Sequence, residues 1–163
     1  MFRVRTGDLF ESRAQTLVNA VNCVGVMGKG IAEQFKRRFP AMFEDYKRRS
    51  KRNDVRLGEP YLYRDSSGVQ IVNFPTKGHW RSPSRLADVG HGLDYLARHA
   101  AEWSITSLAL PALGCGAGGL EWSDVGPLIY GKLNKLPIDI EVYAPYGTSK
   151  QQLTTEFLSA RSE

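Results

Sequence analysis

Three apolar runs, TLVNAV at 16–21, VQIVNF at 69–74 and SLALPAL at 107–113, scarcely alternate with polar residues. Such runs read as strands buried on both faces. A fourth strand is IDIEVYA at 138–144. Between the strands lie stretches whose apolar residues recur at helical spacing. A strand buried on both faces needs cover on each side, so this alternation predicts an α/β fold: a mostly parallel sheet between two helical layers.

The remaining elements follow from the same patterns. Phe2 to Thr6 alternates apolar and polar residues, as a half-buried edge strand does. A helix is expected over 28–39, where Ile31, Ala32, Phe35 and Phe39 share a face, and another from Pro40, carrying Met42, Phe43 and Tyr46. Tyr61 to Tyr63 and Val69 to Phe74 flank the turn RDSSG as a hairpin. Residues 84–103 read as a long helix and 124–133 as a shorter one. A chain of 163 residues makes one domain and buries roughly 70% of its unfolded surface. That domain is read as 1–147, with 148–163 a C-terminal helix or tail linking onward.

Composition excludes several classes. No apolar run approaches the ~20 residues needed to cross a membrane, and MFRVRTGDLF lacks the apolar core of a signal peptide. Two cysteines make no disulfide framework, and a reducing cytoplasm is the expected location. The net charge of +5 is concentrated. Lys36, Arg37, Arg38, Lys47, Arg48, Arg49, Lys51 and Arg52 face only Glu44 and Asp45 in that stretch. This is either a solvated helical face or a phosphate-attracting stripe. No His, Cys and Asp cluster has metal-ligand spacing, so no metal and no cofactor are expected.

The unusual residues fall at strand exits, where open α/β sheets bind ligands. VNCVGVMGKGIA at 21–32 places Gly25, Gly28 and Gly30 between a strand and a helix. Such a loop brings backbone N–H groups and a helix N-terminus up to a phosphate. Asn22 either reaches a sugar hydroxyl or caps its own loop. LPALGCGAGGLEW at 110–122 repeats the arrangement with Gly114, Gly116, Gly118 and Gly119. Gly114, Gly116 and Gly119 match G-x-G-x-x-G, but the acid about 20 residues on, Asp139, lies at the wrong end of its strand for a dinucleotide fold. Two glycine loops at two strand exits suit one diphosphate held between them. TGDLF at 6–10 offers the Asp8 carboxylate beside Leu9 and Phe10. NFPTKGHW at 73–80 carries Lys77 out of a buried strand.

In order and spacing, GDLF, VNAVNCVGVMGKGIA and ALPALGCGAGGLEW resemble the macrodomain family over nearly the whole chain. The resemblance implies a three-layer α/β/α module with a mixed, mostly parallel sheet that binds ADP-ribose. The implied binding residues are Asp8 and Leu9 at the adenine, Val21 and Asn22, the loop Gly28, Lys29, Gly30 and Ile31, Thr76, the loop Gly114, Cys115, Gly116, Ala117, Gly118 and Gly119, and Tyr146. NFPTKGHWRSPS is similar to a branch of ADP-ribosyl glycohydrolases in which Lys77 would be catalytic. Protein-directed members of the branch carry an aspartate in a GCG-x-D pattern where this chain has Gly118. The likeness therefore points to the DNA-directed antitoxin members. It implies hydrolysis of ADP-ribose from thymidine in single-stranded DNA, and a cognate ADP-ribosyltransferase toxin bound through a region outside this chain. His79, Trp80 and Arg81 become candidates for contact with the base and its strand.

Two roles for Lys77 stay open: attack on the opened distal ribose with a transient covalent adduct, or charge stabilisation and proton donation to the leaving base. Cys23 and Cys115 read as small loop residues, and His91 and His99 as structural. The rival functions are hydrolysis of ADP-ribose from glutamate side chains, deacetylation of O-acetyl-ADP-ribose, and non-catalytic ADP-ribose reading.

Overall fold

A computed structural model describes residues 1–162. Six strands form one sheet in the order β1-β6-β5-β2-β4-β3. They are β1 (Phe2–Arg5), β2 (Thr16–Asn22), β3 (Tyr61–Arg64), β4 (Gln70–Lys77), β5 (Ser107–Pro111) and β6 (Asp139–Tyr143). All neighbours run parallel except β3, which pairs antiparallel with β4 at the edge. The parallel strands therefore all present their carboxyl ends at one rim.

The helices are α1 (Gly30–Arg38), α2 (Pro40–Lys51), α3 (Leu86–His99), α4 (Trp122–Leu133) and α5 (Thr155–Ser159). α1 and α2 cover one face, where Phe35, Met42 and Tyr46 pack with Leu17, Val21, Ile71 and Ala109. α3, α4 and α5 cover the other, where Val89, Leu93, Val125, Ile129 and Leu158 pack with Val18, Val72, Phe74 and Leu110. Strand β2 thus feeds both cores with alternate residues, as its unbroken apolar run requires. Its one interior polar residue, Asn19, is fully buried opposite Asn73 of β4 and donates to it at 3.1 Å. Asn73 in turn donates to the Tyr61 hydroxyl at 3.1 Å. A one-residue slip would strand these amides in an apolar layer, so the pair fixes the β2–β4 register.

Two of the structure's departures from the sequence reading bear on the site. The first helix begins at Gly30, because the glycines before it form the loop. Strand β4 continues past Phe74 through Pro75 and Thr76 to Lys77. Of the helix or tail expected from 148, the structure has the helix: a single turn at Lys150–Leu153 and α5 pack onto the domain. Leu158 is fully buried against Gly126 and Trp122, and the Trp122 indole donates to the Gln152 carbonyl at 2.9 Å. Glu163, the last residue of that segment, lies outside the described residues.

Candidate functional site

Where β2, β4, β5 and β6 end, a cleft of about 1150 Å³ opens between the loops that leave them. That is large enough for a nucleotide-sized ligand. Among the sequence-predicted residues, Asp8, Leu9, Val21, Asn22, the 28–31 loop, Thr76, Lys77, Trp80, Arg81, residues 114–118 and Tyr146 all line it.

The first wall is the loop between β2 and α1. Gly30 has φ +57, a backbone state that glycine enters without strain, and it turns the chain directly into α1. The loop is held from below. The Asn22 side chain accepts from the Val24 N–H at 3.1 Å and donates to the Val26 carbonyl at 2.8 Å. The carboxamide thus ties its own loop, one of the two roles the sequence left open. The fully buried Tyr46 of α2 places its hydroxyl 2.8 Å from both the Asn22 carbonyl and Oδ1. Burial pushes the Tyr46 phenol above its ordinary pKa, so it stays a donor at all physiological pH values.

The second wall is the 114–118 loop. It wraps around Ser84, whose backbone N–H donates to the Gly118 carbonyl at 2.9 Å. A Cβ built on Gly118 would lie 2.6 Å from the Gly114 carbonyl oxygen and 2.8 Å from the Ser84 Cβ. No side chain fits there without movement of the loop, so glycine at 118 is a steric requirement of this packing. Gly119 does not line the cleft. It closes the loop instead, donating to the Gly116 carbonyl at 3.2 Å.

Lys77 stands at the mouth between the walls. The β2–β4 pairing passes from Val21 opposite Pro75 to Asn22 opposite Lys77, which leaves Thr76 as an extra residue. Such a bulge re-aims the side chain that follows it. Lys77 is half-buried on the cleft wall, and its Nζ donates to the Trp80 carbonyl at 3.0 Å. One residue on, the Gly78 carbonyl accepts from the Cys23 N–H at 3.1 Å, which fastens the lysine segment to the first loop. The Arg81 guanidinium lies over the Trp80 ring at 4.4 Å, and the His79 ring stacks with the same indole at 5.3 Å. His79 does not line the cleft. Its Nδ1 accepts from the Arg81 N–H at 3.1 Å, so it braces the turn.

At the far end, Asp8 caps a helical turn by accepting from the Phe10 N–H at 2.9 Å, with Leu9 and Phe10 forming apolar wall beside it. Tyr146 is fully exposed on the rim. Both cysteines are poor nucleophiles here. Burial, helped by Glu121 and Asp124, pushes the Cys115 thiol up to about 12, and burial also raises Cys23. Tyr46 and Ser84 escape sequence reading, because their partners lie far along the chain and only packing brings them together.

The macro domain family profile matches residues 18–129, which include the first glycine loop, Lys77 and the second glycine loop. This chain is a macrodomain. It is 46% identical to a DNA ADP-ribosyl glycohydrolase of Mycobacterium tuberculosis over 92% of this chain and 44% of that protein. It is 40% identical to a DNA ADP-ribosyl transferase-DNA ADP-ribosyl glycohydrolase fusion protein of Thermosipho africanus, over 85% of this chain and 40% of that one. Among solved structures, Thermosipho africanus DarTG in complex with ADP-ribose superposes with a TM-score of 0.91 at 39% identity, covering 96% of this macrodomain and 45% of that chain. The macrodomain spans less than half the length of these curated relatives.

Proposed function

We propose that this macrodomain is a hydrolase that removes ADP-ribose from thymidine bases of single-stranded DNA. It would act in the cytoplasm as the antitoxin of a DNA ADP-ribosyltransferase, which it would meet through a region outside this chain. The observation that carries the reading is Lys77 at the mouth of a cleft whose two glycine loops suit a diphosphate, in a chain 46% identical to a DNA ADP-ribosyl glycohydrolase. ADP-ribose would lie with adenine by Asp8, Leu9 and Phe10 and the diphosphate between the 28–31 and 114–118 loops. The distal ribose would then meet Lys77. Water adds to the anomeric carbon, the bond to the base breaks, and the base leaves with a proton. The Lys77 Nζ donates to the Trp80 carbonyl, which holds it on the cleft wall as a hydrogen-bond donor and supports a role in stabilising charge or protonating the leaving base. The crowded site of Gly118 has no room for an acidic partner to Lys77, which speaks against the glutamate-directed reaction.

ADP-ribosylated single-stranded DNA and glutamate-modified protein, offered to wild type and to Lys77→Ala, test this. We expect release from DNA by the wild type alone, with free ADP-ribose bound by both. Release from DNA by Lys77→Ala at the wild-type rate overturns the role of the lysine. Inertness of both proteins toward both substrates favours a reader. A lysyl adduct trapped by an imine-reducing agent would select covalent catalysis.

A further inference from the structure

We propose that the DNA strand on either side of the modified base lies on a track that starts at Trp80 and Arg81, crosses the first glycine loop and ends at the last turn of α2. This deepens the DNA-directed reading and rests on it. Four of the exposed large apolar side chains lie along this path, Trp80 and Val26 on the rim of the cleft and Val24 and Leu57 beyond it. Trp80 is 41% exposed, Val24 47%, Val26 40% and Leu57 36%. The Cys23–Gly78 hydrogen bond sets the Val24 loop against the Trp80 segment. The Cys23 thiol meets the backbone of Leu57. A Cβ on Gly25 would lie 3.4 Å from the Ser50 Cβ, so the next neighbour is the end of α2. Arg48, Lys51 and Arg52 are exposed there.

Charge along this path is one-sided. Among the described residues Arg48, Lys51 and Arg81 have no carboxylate within 4.0 Å, while Arg52 and Arg56 share the single Asp54 at 3.3 and 3.7 Å. Of the nearby acids, Asp45 is matched by Arg49 and Asp88 by Arg85 at 3.0 Å, which leaves the exposed Glu59 as the one carboxylate beside Leu57 with no cation within 4.0 Å among the described residues. Apolar and aromatic side chains interleaved with unmatched cations are what a single strand needs, because its bases seek flat apolar cover and its phosphates seek cations. Continuity with the site selects the occupant. A base linked to the distal ribose leaves the cleft beside Lys77 and Trp80, so its flanking nucleotides emerge onto this surface.

The test compares hydrolysis of ADP-ribosylated thymidine with that of an oligonucleotide of roughly ten nucleotides carrying one such base, a span typical of single-strand grooves. For the wild type, kcat/KM on the oligonucleotide should exceed that on the nucleoside and fall with salt. In the double variant Lys51→Glu, Arg52→Glu the oligonucleotide KM should rise about tenfold, with a salt slope reduced by roughly 0.7 for each phosphate no longer neutralised. Its nucleoside kinetics and melting temperature should match the wild type. Equal KM for both substrates in the wild type, or an unchanged oligonucleotide KM in the variant, overturns the track. If the wild type hydrolyses neither, the DNA-directed reading has failed. The track is then judged by fluorescence anisotropy of the unmodified oligonucleotide: weaker binding by the variant supports it, and equal binding overturns it.

Discussion

A single buried hydroxyl holds the first glycine loop in shape. Tyr46 reaches from the middle of α2 to Asn22, 24 residues earlier in the chain, and Asn22 shapes the loop that opens onto the cleft. Tyr46→Phe keeps the ring and its packing but leaves the Asn22 acceptors short of a donor. We expect a stability loss of about 1 kcal/mol, with a several-fold weaker affinity for ADP-ribose. Chemical denaturation and calorimetric titration measure the two. An affinity within error of the wild type would show that the loop holds itself. In the sequence Tyr46 is one more apolar member of an amphipathic helix, because nothing local marks its oxygen. The same blindness applies to Ser84. Lys77 and the glycines are legible because their local context, a strand running into a loop, already suggests a ligand site, whereas Asp8 is singled out by the family resemblance.

At the scale of elements, the three apolar runs are legible because burial on both faces leaves a compositional mark. The end of β4 is not. Proline removes a ladder donor, so the sequence pattern stops the strand at Phe74. In the fold β3 starts opposite Asn73, and beyond that point β4 has no neighbour on that side to need a donor from Pro75. The strand therefore runs on, and the bulge at Thr76 follows. The packing of β4 on α3 is equally specific. A Cβ at Gly92 would lie 2.7 Å from a Phe74 ring carbon. Gly92→Ala must displace that ring, and we expect it to cost about 1–3 kcal/mol by overpacking. A urea midpoint equal to that of the wild type would mean that the ring has room the fold does not show.

For the whole molecule, thiols and phenols that are half-buried, or in the case of Tyr46 fully buried, set an upper pH limit. The Cys115 thiol is pushed up to about 12 from an ordinary value of 9.0, first by burial and then by Glu121 and Asp124. Above pH 9 the unfolded chain releases a proton that the fold retains, so stability falls as pH rises through that window. Cys23, Tyr46 and Tyr61, raised mainly by burial, add in the same direction. Melting temperature against pH should be flat near neutrality and decline beyond pH 9, less steeply in Cys115→Ala; parallel curves for the two proteins would exclude Cys115 as a source. The hydrogen bond between Cys23 and Gly78 has a different kind of consequence. With Asn22 opposite Lys77 just before it, it joins the proposed phosphate cradle and the lysine segment into one mechanical part. Neither loop can be exchanged alone with that of a relative. Residues 22–30 and 77–84 make up a cassette, and chimaeras that swap only one half will inherit a lysine aimed for another protein's cradle.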